Sequence, residues 1–157
     1  MLFQRVNRSD PEKIFMVFYN SYSTASLTNG QPVIIDYATD YNGVSVTKPT
    51  ASTDSHAGFA SAGIVAETIA FGSYGLVQVY GYHSAVRARS LTGGTPAIAA
   101  GIPLSQINAV FALESFPLSV VATSTATQAL YFPIALALGA QASYTTKTVA
   151  CFIKALG

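Results

Sequence analysis

Hydrophobic positions along this chain fall in short blocks separated by turn-forming residues. The block Ile14 to Tyr19 is apolar or aromatic at every position, which predicts a strand buried on both faces. Asn29-Gly30 is a turn signal ahead of a second strand over Pro32 to Tyr37. Asn42-Gly43 is another, ahead of a third over Val44 to Lys48. The stretch from Pro49 to Gly58 is small and polar without periodicity and reads as an exposed loop. Gly63 to Ile69 fits strand better than helix because of its flanking glycines and branched residues. After the Gly72-Ser-Tyr-Gly75 turn, Leu76 to Ser90 reads as one long extended segment.

The two faces of that long segment differ. Strict alternation puts Leu76, Gln78, Tyr80, Tyr82, Ser84, Val86 and Ala88 on one side. The other side passes from Val77 and Val79 to His83, Arg87 and Arg89, changing from apolar to basic at Gly81. A glycine inside a strand marks a bulge or bend, so the strand is expected to leave the core there and carry His83, Arg87 and Arg89 to a rim. Thr92 to Thr95 turns the chain into Ala97 to Ala100 and a Gly101-Ile-Pro103 corner. Ser105 to Phe116 and Ala126 to Ala142 fit either further strands or one short helix. Thr148 to Lys154 closes the chain as a strand. The expected fold is mainly β: a compact β-barrel or β-sandwich-like domain over residues 12–157, with an extended N-terminal arm over residues 1–11 and room for one short helix in the C-terminal third.

Composition changes the picture. Only 10% of the 157 residues are charged, against 50% hydrophobic, and mean hydropathy is +0.40. An ordinary soluble domain is about 25% charged. A chain this poor in ions either enters a membrane or covers much of its surface with other chains. The longest uncharged run, Ser115 to Thr146, is broken by Ser119, Thr123, Ser124, Thr125, Thr127, Gln128 and Pro133. It lacks the roughly 18 to 20 consecutive apolar residues of a spanning helix. Assembly is the better explanation. A net charge of +1 provides no field to draw nucleic acid or an anionic membrane, so neither is expected as a partner. The start of the chain carries no secretory pattern, and synthesis in the cytoplasm is expected.

Candidate chemistry is sparse. Two histidines, one cysteine and seven carboxylates are scattered along the chain. Neither His56 nor His83 has a ligand partner at metal-binding spacing, and Cys151 lies among apolar neighbours. The glycines at 72, 75, 93 and 94 do not form a phosphate loop. No catalytic residue, metal or cofactor is expected, and an enzyme is the weakest reading. Tyr19, Tyr22, Tyr37, Tyr41, Tyr74, Tyr80 and Tyr82 suit half-buried strand and interface positions, with a sugar-stacking platform as the alternative.

The order of segments Ile14 to Asn20, Gly30 to Asp36, Asn42 to Pro49, Ala62 to Ile69 and Gly75 to Gly81, with the closing Phe152 to Leu156, resembles the capsid decoration, or cement, proteins of tailed bacteriophages. The resemblance implies a structural virion protein on the outer capsid surface. Its implied partners are the major capsid protein and further copies of itself, as a homotrimer. It carries no site residues with it. Candidate contacts with capsid or neighbouring subunits are Leu2, Phe3, Arg5 and Arg8 in the mixed-character arm, and Arg87 and Arg89 at the expected rim. A virion surface module that binds host glycans, and another head or head-tail component, are the alternatives.

Overall fold

A computed structural model of the chain describes residues 12–23, 25–49, 60–90, 97–106, 109–115, 133–141 and 145–155. These form nine strands and no helix: β1 (Lys13–Asn20), β2 (Pro32–Ile35), β3 (Ser45–Thr47), β4 (Ser61–Val65), β5 (Tyr74–Arg89), β6 (Pro103–Gln106), β7 (Leu113–Ser115), β8 (Ala135–Ala137) and β9 (Lys147–Lys154). They belong to a single sheet in the order β1-β3-β2-β4-β5-β7-β6-β8-β9, in which β1 and β9 also return to β5. The pairings therefore close two circuits that share β5. One runs through β1, β3, β2 and β4, the other through β7, β6, β8 and β9. The expected arm lies outside the described residues. Where the C-terminal third is described, the segments open to helix or strand are the strands β6, β7 and β8.

Each circuit has its own apolar cluster. Phe18, Val33, Val46, Val65, Val77 and Val79 fill the first. Val86, Leu104, Leu113, Val149, Cys151 and Ile153 fill the second. Strand β4 is buried at every position because it contributes to both: Val65 to the first and Ile64 to the second. A strand covered on both sides has no polar face to keep wet, and β4 carries no charged residue.

The long strand read from Leu76 to Ser90 is one 16-residue strand, but its faces are not those of strict alternation. Its pairing with β1 skips a residue at Val79, and its pairing with β9 skips between His83 and Val86. An extra residue on one strand inverts which side chains face inward beyond it. The buried set is accordingly Gly75, Val77, Gln78, Val79, Gly81 and His83 before the second irregularity, with neighbouring Gln78 and Val79 both buried at the first, and Val86 and Ala88 after it. The strand does not leave the core at Gly81. Gly81 has φ +99°, and a Cβ there would collide with the Glu12 carbonyl oxygen, so the glycine serves a close backbone approach between β5 and the entry to β1.

The Asn29-Gly30 signal also has a different use from the tight hairpin turn it suggested. Strands β1 and β2 do not pair; β1 instead runs parallel to β3. Gly30 docks between β4 and β5, its amide donating to the Val65 carbonyl of β4 and its carbonyl accepting from the Arg87 amide of β5.

Candidate interaction surface

Strand β1 is where the chain departs most from its own pattern. Its register against β5 puts Met16 opposite Val77, Val17 opposite Leu76 and Tyr19 opposite Tyr74. On its other edge, β3 pairs only with Tyr19 and Asn20. Among the described residues nothing pairs with the open edge from Ile14 to Phe18. Ile14, Phe15, Met16 and Val17 are exposed at 45%, 42%, 41% and 59%. These are the residues that sequence reasoning assigned to a strand buried on both faces. The strand is correct, and its burial within a single chain is not.

Leu76 and Tyr74 continue the exposed apolar surface onto β5. Val17 and Leu76 are cross-strand partners on one face, and Tyr74 packs at 5.3 Å between ring centroids against Tyr19. Lys13 ends the strip and lies over the Tyr82 ring, so the surface from Ile14 to Phe18 carries no charge. The sequence did hold a signal for this surface: a block of consecutive apolar residues in a chain with too few charges to cover its exterior.

The basic residues expected at a rim are partnered within the chain. Arg87 donates through Nη2 to the Thr28 hydroxyl at 2.8 Å. Arg89 donates through Nε to Glu114 at 2.8 Å in a half-buried ion pair. His83 is buried rather than presented. Its Nδ1 accepts from the Ala85 amide at 3.1 Å. Burial holds its pKa below the ordinary value, with the Lys13 charge adding to the effect and a backbone hydrogen bond with Val65 opposing it. Leu2, Phe3, Arg5, Arg8 and His56 lie outside the described residues.

The remaining candidate groups are structural. Cys151 is fully buried, and desolvation pushes its thiol up to about 12. Asp40 accepts from the amides of Asn42, Val44 and Ser45, which holds its carboxyl below the usual range and builds the turn into β3. Tyr22 packs edge-on against Phe111, and Tyr80 against Phe152. Tyr41, 94% exposed, stands on the β2–β3 connection away from these pairs. Among the described residues, no group of three His, Cys, Asp or Glu side chains is placed to hold a metal ion, and no helix is long and apolar enough to cross a membrane.

Compared with known proteins, the chain matches no family model and no curated sequence. Its functional reading therefore rests on its own residues.

Proposed function

We propose that the chain is a structural assembly protein of the capsid-decoration type, which binds the outer surface of a tailed-phage head and bridges neighbouring major capsid subunits. The observation that carries the assembly part of this reading is the exposed apolar edge Ile14 to Val17 with Leu76 and Tyr74 beside it. A monomer seldom leaves such a strip uncovered, because an open apolar edge templates pairing with other chains. The low charge content of the whole chain supports the same reading. The phage part is supported by the resemblance in the order of strand and turn segments. The finer shape proposed is barrel-like, with each circuit of strands curling around its own apolar cluster.

In this role a decoration subunit adds contacts that internal pressure must break before the shell opens. Individual contacts need not be strong, since linked copies gain avidity without any new contact type. Arg87, Arg89 and the residues Leu2, Phe3, Arg5 and Arg8 remain proposed contacts with the shell. The test is the temperature at which filled heads release DNA, measured with heads lacking this protein before and after it is added back. The reading expects a higher release temperature on addition. An unchanged release temperature at saturating protein contradicts it, and binding of the isolated protein to host glycans would then take its place.

A further inference from the structure

We infer that the open edge of β1 is a self-association site, at which Ile14 to Phe18 of one copy pair antiparallel with the same residues of a second copy about a two-fold axis at Met16. This deepens the assembly reading by naming the surface and its occupant. The backbone sets the geometry. The Asn20 amide donates toward β5, to Ser73, and the Tyr19 amide donates the other way, to Val44. Alternation along the strand then turns the amides and carbonyls of Val17 and Phe15 to the open edge. Two such residues flanking Met16 make a self-complementary set: Phe15 of one copy exchanges hydrogen bonds with Val17 of the other, and Met16 faces Met16.

The limits of the ladder follow from the neighbouring elements. It ends at Phe18 because β3 occupies the edge from Tyr19 onward. Charge selects the direction. A parallel, in-register pairing would set the Lys13 ammonium groups of the two copies side by side. The antiparallel pairing centred on Met16 separates the two lysines by about 20 Å along the strands.

Area selects a second copy as the occupant. Ile14, Phe15, Met16, Val17, Tyr74 and Leu76 are all between 38% and 65% exposed. Together they present on the order of 500 Å² of apolar surface, at the upper end of what a monomer leaves open and most of the roughly 800 Å² that one partner brings to a specific interface. Pairing would also make the block from Ile14 an internal strand of a continuous sheet, with its backbone hydrogen-bonded on both edges.

The test is Met16→Cys under mild oxidation, read on a non-reducing gel, beside sedimentation velocity of the wild type and of Val17→Lys. Facing residues at a non-hydrogen-bonded antiparallel position have Cα atoms about 4.5 Å apart, within reach of a disulfide. Cys151 is fully buried and does not compete. The expected result is a covalent dimer for Met16→Cys and none for Tyr41→Cys, a dimer by sedimentation for the wild type, and at least a tenfold weaker dimer for Val17→Lys. Val17 is exposed, so its substitution leaves the core intact. A wild-type protein that stays monomeric overturns the inference. So does a trimer or larger oligomer in which Met16→Cys fails to cross-link, and that outcome leaves the assembly reading standing. A monomer that still binds heads likewise separates the two.

Discussion

Arg89 donates from Nε to the Glu114 carboxylate at 2.8 Å, across a register pair that sets the two residues side by side in the parallel β5–β7 ladder. Glu114 is buried and its partner is half-buried, so the pair does more than a surface ion pair can. Arg89→Met leaves the carboxylate without its donor and is expected to lower stability by about 2 kcal/mol. Arg87→Met, which removes a bond to a neutral hydroxyl, is expected to cost about 1 kcal/mol. Urea unfolding midpoints at constant slope check both.

Two glycines with positive φ are expected to respond differently to the same substitution. At Gly81 the left-handed backbone is combined with the Glu12 carbonyl where a Cβ would sit, while Gly43 has a similar φ and open space around it. Gly81→Ala is expected to cost about 3 kcal/mol. Gly43→Ala carries only the backbone penalty, about 1 kcal/mol. Thermal melts of the two variants measure the difference.

The buried His83 ties stability to mild acid. Its folded pKa lies below the ordinary value of 6.5, so the unfolded chain takes up its proton first. Its contribution is complete above that value and declines as pH falls below it. Stability is therefore expected to drop between neutral pH and pH values near 5, and His83→Gln should remove this part of the slope. Asp40 acts in a lower window: its depressed carboxyl stabilises the fold above about 3.8 and loses that effect as the pH falls further. Unfolding measured across the pH range resolves the two.

Cys151 is expected to resist thiol reagents while the protein is folded. Burial raises its pKa to about 12, which leaves almost no thiolate at neutral pH. A disulfide-exchange reagent should react with it only after denaturation. Rapid reaction in native buffer would show that β9 opens locally.

Most strands were legible in the sequence because each local signal agreed with the next. The Asn-Gly and Gly-Ser-Tyr-Gly signals bound β2, β3 and β5, and branched residues mark β4 and β9. What alternation could not show is register. One skipped pairing between His83 and Val86 moves Val86 and Ala88 to the buried set, so that buried His83 no longer shares a face with the half-exposed Arg87 and Arg89. Arg87 and Arg89 find Thr28 and Glu114, residues distant in sequence, and no local pattern announces such pairs. The exposed edge was half legible. The block from Ile14 shows a strand wanting cover on both faces, and only the three-dimensional arrangement shows that one chain leaves it open.

Titrating the protein onto expanded, undecorated heads and pelleting the mixture tests the proposed role on a phage head. The account predicts saturable co-pelleting at a stoichiometry fixed by the lattice. Folded protein that stays in the supernatant at every concentration would contradict it.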